Sequence, residues 1–218
     1  MSTQALKRSL YQSLAKVAQA LASGNRLQLL EFIAQGERSV EQLATMAGLS
    51  VANTSQHLQG LRQAGLVAQR KHGQRVFYSV AGNEVIQLFS ALRRAGEARV
   101  AEVERLVRDF IGHRDHFEPI PARELLARAK KGLVTVLDVR PAEEFAAGHL
   151  PGAINVPMEK FESSLAKIAK KREVVAYCRG PYCLMSFEAV LKLRAHGWKA
   201  RRLEEGFPEW KAAGLPVE

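Results

Sequence analysis

The chain is expected to be multi-domain, a mainly α domain followed by an α/β domain with a mostly parallel sheet. Three observations predict this. Up to about residue 110 the apolar residues recur at helical spacing, interrupted by a single pair of short β-type runs. The stretch "HRDHFEPIPA", His113 to Ala122, breaks that pattern with two prolines and mixed charge. Beyond it, short apolar runs alternate with helix-like ones, as in a parallel sheet flanked by helices. The boundaries follow: a first domain over 1–112, a linker over 113–121 and a second domain over 122–218.

The elements follow in order. A first helix is expected over Gln4 to Leu21, and a second over Arg26 to Gln35, stopped at Gly36. A short third helix, Val40 to Ala47, has Ser39 as its N-cap. A fourth runs from Val51 to about Ala64 and closes at Gly65. "LVAQRK" and "QRVFYSV" flank a turn at His72-Gly73, which reads as a hairpin. The helix from Asn83 to Ile111 carries more apolar surface than so small a domain can bury, which points to a second copy of the chain. After the linker, "ARELLARAKKG" is helical, "LVTVLDVR" and "INVP" are strands and "FESSLAKIAKK" is a helix. "EVVAYC" is a strand, "LMSFEAVLKLRAHG" a helix, "KARRLE" a strand and "FPEWKAAG" a final short helix.

Composition narrows the function classes. No apolar run approaches the ~20 residues that span a bilayer, so no membrane partner is expected. Two cysteines, Cys178 and Cys183, are too few for a disulfide scaffold, and a cytoplasmic location with reduced thiols is the plain expectation. The formal charge is +10 and is unevenly spread. Between Glu41 and Glu84 there is no acidic residue, while Arg62, Arg70, Lys71 and Arg75 fall there with His57 and His72. A carboxylate-free stretch of that length suits a face that meets phosphates.

"SVEQLATMAGLSVANTSQHLQGLRQAGLV" reads as helix, glycine turn, helix, and the hairpin after it completes a winged helix-turn-helix. On the second of these helices Val51, Thr54, Leu58 and Leu61 form the expected buried row. Asn53, Ser55, Gln56 and Gln59 then face outward, and amide side chains suit adenine edges in the major groove. A solvated polar helix face is the bland alternative, and the basic stretch and the wing weigh against it. "LSVANTSQHLQGLRQAGLVAQRKHGQRVFYSV" resembles the ArsR/SmtB repressors over roughly Leu14 to Leu106. The resemblance implies a homodimer built on its terminal helices and a double-stranded operator with an inverted repeat. It adds Ser50 and His57 as DNA-binding candidates, with Arg75 in the wing. Metal sensors of that family use cysteines or Asp/His sets in this domain, whereas residues 1 to 177 hold no cysteine. His113 and His116 have HxxH spacing without a further ligand, so no metal site and no cofactor is expected.

Both cysteines stand in "YCRGPYC", a turn that follows a strand and opens a helix. Such a turn aims backbone N–H groups and the positive helix end at one point, which lowers the pKa of a thiol placed there. Arg179 adds positive charge, Gly180 permits unusual backbone angles and Pro181 stiffens the turn. "VLDVRPAEEFAAGHLPGAINVP" and "LEEGFPEWKAAGLPVE" resemble the framing motifs of rhodanese-like sulfurtransferase domains, over Phe117 to Glu218. By that resemblance Cys178 is the sulfur-carrying nucleophile, and Arg179, Gly180, Pro181, Tyr182 and Cys183 form the loop whose backbone N–H groups cradle an anion. Proline has no N–H of its own, so its part there is to shape the turn. Asp138 and Arg140 belong to the supporting motif. A small sulfur-containing or oxyanion ligand is implied at this loop.

Two departures from the pattern stand out, of which the second, Glu205-Gly206 in place of the family's usual Gly pair near the C-terminus, is neutral. Cys183 stands where thiosulfate-using members carry a basic residue, which weighs against simple thiosulfate turnover. Leu184 stands where related phosphatases and arsenate reductases need arginine. Cys183 itself reads either as a small apolar residue at a helix start or as a resolving thiol for a persulfide on Cys178. The expected function joins the halves: a transcriptional regulator whose rhodanese-like domain senses reactive sulfur at Cys178. The alternatives are a sulfurtransferase tethered to DNA and an arsenical- or metal-responsive repressor using the cysteine pair.

Overall fold

The computed structural model describes residues 2–109, 119–165 and 168–218. Residues 113–118 of the expected linker, with His113 and His116, lie outside the described residues. The chain divides into two compact units, Met1–Phe89 and Ser90–Glu218.

The first unit is a helical core with a β hairpin. Helices α1 (Thr3–Leu21) and α2 (Gly24–Ala34) are followed by strand β1 (Arg38–Ser39), α3 (Val40–Ala47) and α4 (Val51–Gln63). Strands β2 (Val67–His72) and β3 (Arg75–Val80) form the wing, with β3 between β1 and β2 in an antiparallel sheet. The hairpin turns at Gly73, whose φ of 61° suits a residue without a Cβ. Ser39 starts α3 with a capping box, its hydroxyl accepting from Gln42 N–H while the Gln42 side chain accepts from the Ser39 N–H. Leu29, Leu30, Ile33, Leu43, Leu58, Leu61 and Tyr78 fill the core beneath.

Helix α5 (Asn83–Arg99) begins in the first unit and enters the second at Ser90. Sequence periodicity predicts one helix to Ile111. Instead α5 ends at Arg99, Val100 is extended, and α6 (Ala101–Val107) starts afresh. Past the break α6 comes back beside α5: a Val103 methyl lies 3.8 Å from where a Cβ on Gly96 would stand, an ordinary contact. Periodicity alone cannot see a backbone that folds a stripe back onto itself.

The second unit holds a parallel sheet of order β5-β4-β6-β7, as the strand–helix alternation predicts. Its elements are α7 (Ala122–Lys130), β4 (Val134–Asp138), α8 (Ala142–Ala146), β5 (Ile154–Asn155), α9 (Phe161–Ser164), β6 (Glu173–Tyr177), α10 (Leu184–Ala195), β7 (Ala200–Arg202) and α11 (Phe207–Ala212). Successive residues of the inner strands feed opposite faces, as a pleat requires. Val174, Ala176 and Cys178 join Leu137 and Val139 under α9 and α10, while Val175 and Tyr177 join Val134 and Val136 with Leu125 of α7 and Trp210 of α11. α9 covers less of "FESSLAKIAKK" than expected, with a 3-10 turn, Met158–Lys160, taking up the chain before it.

Candidate functional site

On α4 the hydroxyl of Ser50 accepts the Asn53 N–H at 3.2 Å, so Ser50 is the N-cap of the recognition helix. Thr54, Leu58 and Leu61 are buried as expected. Val51 is not; it sits in the first turn and is 49% exposed, beyond the reach of the core. Gln56 and Gln59 are exposed, whereas Asn53, Ser55 and His57 are half-buried. The His57 ring lies 3.3 Å from the Asn25 amide of α2, which ties it to the fold. Arg75 is exposed in the wing. Arg70 is held by Glu37 at 2.6 Å, so one charge of the basic stretch is already matched. Glu37 lies just outside the acid-free run, and sequence distance hid the pair.

The cysteine loop stands at the carboxyl end of β6, an inner strand of the parallel sheet, where α/β folds gather their ligands. Cys178 and Cys183 are joined by a disulfide, with their Cα atoms 6.1 Å apart. Cys178 is buried at 1% exposure, and Cys183 is the N-cap residue of α10. The Cys183 N–H donates to the Gly180 carbonyl at 3.1 Å, so in the bridged loop this N–H serves the turn. Arg179 pairs with a carboxylate. Its guanidinium is held by buried Glu144 at 2.7 and 3.1 Å, in α8 of the first framing motif.

Beneath the loop, Asp138 and Arg140 are both fully buried and paired at 2.6 Å. Burial opposes the Arg140 charge, but the Asp138 carboxylate more than restores it and holds the guanidinium above its ordinary value. Arg140 also donates to the Gly148 carbonyl at 2.8 Å and stacks on Phe207 at 4.3 Å. Burial, reinforced by Asp138, pushes the Tyr177 phenol far up, so it stays protonated and accepts the Leu150 N–H at 3.1 Å. The Asn155 amide donates to the carbonyls of Asp138 and Arg140 and fixes the end of β4.

The second framing motif locks the loop from the other side. A Cβ on Gly206 would lie 2.4 Å from Arg179 C and Gly180 N, so only glycine permits this approach of backbone to backbone. The Phe207 N–H donates to the Cys178 carbonyl at 3.1 Å. Glu209 accepts the Gly206 N–H at 3.1 Å and pairs with Arg93 of α5 at 3.0 Å. Tyr182, inside the bridged loop, donates its hydroxyl to Glu97 of α5. Nothing in the sequence pattern links Tyr182 to Arg93 or Glu97, because their separation is long and their residue types are common on helix surfaces.

Burial, aided by Glu209 and Glu204 against the pull of Arg93 and Arg94, holds the Glu205 carboxyl above its ordinary value. The folded state therefore binds this proton more tightly than the unfolded chain, and stability is lost as pH rises through the raised value. Glu205→Gln should raise the thermal midpoint at neutral pH by about 2 °C. The gain should vanish below the ordinary value of 4.5, where both forms are protonated. Melts that show the same gain at both ends of the range would refute this.

A bridged cysteine pair at the end of a parallel-sheet strand and a capped recognition helix with a wing define a class, a DNA-binding regulator fused to a sulfurtransferase-like domain. Comparison with known families agrees. The bacterial regulatory protein, arsR family, matches residues 23–69, and the rhodanese-like domain matches residues 121–213. The HTH-type transcriptional regulator Rv0324 of Mycobacterium tuberculosis is 43% identical over 212 residues, covering 97% of this chain and 93% of its own length. The chain belongs to the ArsR family of bacterial regulatory proteins, with a C-terminal rhodanese-like domain. A sulfurtransferase of Allochromatium vinosum is 33% identical over 85 residues, covering 38% of this chain and 78% of its own length. The homodimeric winged helix-turn-helix DNA-binding domain of Mb0332 from Mycobacterium bovis is similar in structure, with 39% identity and a TM-score of 0.43, covering 46% of this chain and 91% of that one. Among the described residues, no helix is long and apolar enough to cross a membrane.

Proposed function

We propose that the chain is a homodimeric repressor that leaves its operator when reactive sulfur closes the Cys178–Cys183 bridge. The observation that carries this is the pairing of the chain's two cysteines across one loop, at a Cα separation of 6.1 Å that suits a disulfide. The chemistry balances with an inorganic polysulfide as donor. The Cys178 thiolate attacks a sulfane sulfur, the donor's S–S bond breaks, and the shortened polysulfide leaves as an anion. The Cys183 thiolate then attacks Cys178 Sγ, the persulfide S–S bond breaks and hydrosulfide leaves. Two thiols are oxidised to a disulfide, and the sulfane sulfur is reduced to sulfide. The α10 N-terminus and the loop N–H groups favour the thiolate that starts the sequence.

Exposed apolar side chains support the dimer. Leu6, Leu10 and Leu14 follow one another at helical spacing on α1, with Tyr11 beside them, and Leu88 and Leu92 are exposed on α5. For DNA, Gln56 and Gln59 offer amides to base edges, and Arg75 offers charge to phosphate. Arg75→Ala should weaken binding to every sequence and lower the salt slope by about 1 for each lost phosphate contact. Gln56→Ala should instead relax base preference, by about 1–3 kcal/mol at one position of each half-site. Titrations of both variants across salt concentrations separate the two effects, and unchanged affinity in both would refute the interface.

The test of the whole reading is operator binding before and after polysulfide treatment, with mass spectrometry of the loop peptide. Release that tracks formation of the bridge supports the sensor. Full occupancy with the bridge formed overturns it and favours a sulfurtransferase that acts independently of its DNA.

A further inference from the structure

We infer that Tyr182, held between Arg93 and Glu97, is the contact through which the cysteine loop sets the state of helix α5; the inference rests on the sulfur-sensing reading and names the regulatory contact of that same site. Tyr182 lies within the span that the bridge closes, next to Cys183. Its hydroxyl donates to the Glu97 carboxylate, and the Arg93 guanidinium lies 5.8 Å from its ring centroid. Arg93 and Glu97 are one turn apart on α5, with 3.6 Å between their charged groups.

The start of the loop reaches the same helix by a second route. The Arg179–Gly180 peptide packs on Gly206, the Gly206 N–H donates to Glu209, and Glu209 pairs with Arg93. Arg93 and Glu209 are only 11% and 8% exposed, so the pair is shielded from water and resists being separated. Both ends of the loop therefore converge on Arg93, and Tyr182 adds Glu97.

The bridged loop cannot keep this geometry unchanged once reduced. Two thiol sulfurs repel at bonding distance and must move to van der Waals separation. The Cys178 end is fixed by β6, by the Phe207 N–H and by burial in the core. Cys183 heads α10 and is only half-buried, so the movement falls on Cys183 and its neighbour Tyr182. A shift of Tyr182 breaks its bond to Glu97 and lifts its ring from Arg93. α5 begins in the first unit and exposes Leu88 and Leu92, the residues proposed above for the dimer. A contact present in one loop state and absent in the other gives the differential free energy that a switch requires.

Coupling of this kind is reciprocal, so it is measurable at both ends. The experiment uses the full chain in its disulfide and dithiothreitol-reduced forms, and reads amide hydrogen exchange of Ser90–Arg99 by mass spectrometry. In the wild type these amides should exchange at least about fivefold faster after reduction. Tyr182→Phe keeps the ring on Arg93 and removes the hydroxyl; Glu97→Gln keeps the shape and removes the charge. Each should shrink the exchange difference and lower the equilibrium constant for disulfide formation in glutathione buffer by about fivefold. Equal exchange in the two wild-type forms overturns the inference. So does an undiminished difference, with an unshifted thiol equilibrium, in both variants. An exchange difference that depends on Tyr182, found in a protein whose operator affinity ignores polysulfide, upholds this contact and sinks the sensor reading instead.

Discussion

Cys178→Ser should abolish sulfur loading, bridge formation and sulfur-dependent loss of operator binding together. Serine preserves the volume at the end of β6 but cannot hold sulfane sulfur, so every later step loses its substrate. Cys183→Ser should separate the steps. It should gain the mass of one or more sulfur atoms on Cys178 and should never form the bridge. If bridge formation is what moves the loop, Cys183→Ser will load sulfur and stay on its operator. Both variants should bind the operator normally under reducing conditions, because neither residue belongs to the first unit. Gel shifts with and without polysulfide, alongside mass spectra of the loop peptide, decide the matter. Release of Cys178→Ser from DNA on polysulfide treatment, as in the wild type, would end the sensor hypothesis.

The two halves were legible in the sequence for different reasons. α3 and α4 are short, capped by Ser39 and Ser50, and separated by a glycine turn, so local chemistry specifies them. The parallel sheet followed from apolar runs of strand length between helix-length runs, and β4 and β6 stand where those runs predict. Failures came where the deciding partner is distant in sequence. α5 stops at Arg99, and Val103 of α6 lies back beside Gly96, a break that no periodicity records. In the sequence Arg179 stands as a positive charge beside the thiolate, yet Glu144 of α8 claims it from 35 residues away. The place of the loop was readable because strand, turn and helix are contiguous there. Its contacts with Arg93 and Glu97 were not, because they cross 85 residues or more and follow no spacing rule.

Arg140→Met should cost the rhodanese-like domain about 3–5 kcal/mol, a large share of the ~5–15 kcal/mol that holds a typical domain together. Both members of the Asp138–Arg140 pair are fully buried. The guanidinium meets the carboxylate through Nε at 3.0 Å to both oxygens and through Nη2 at 2.6 Å. Methionine fills much of the space between Phe207 and Tyr177 but supplies no charge. Asp138 would keep the residue-140 backbone N–H, now at 2.9 Å, and its contact with the Tyr177 phenol, while its charge lay uncompensated in the core. The Gly148 carbonyl would also lose its donor. The thermal midpoint of this domain should fall by roughly 10–20 °C. Loss of the pair should also loosen the end of β4, which lies beside Tyr177 at the base of the cysteine loop, and so slow sulfur loading below the melting range. The cost lies in stranding one charge rather than in forfeiting an attraction, so Asp138→Leu combined with Arg140→Met should be more stable than Arg140→Met alone. Calorimetry on both proteins tests this. A single variant that melts with the wild type, or a double variant less stable than the single, would show that the buried pair does not hold the site together.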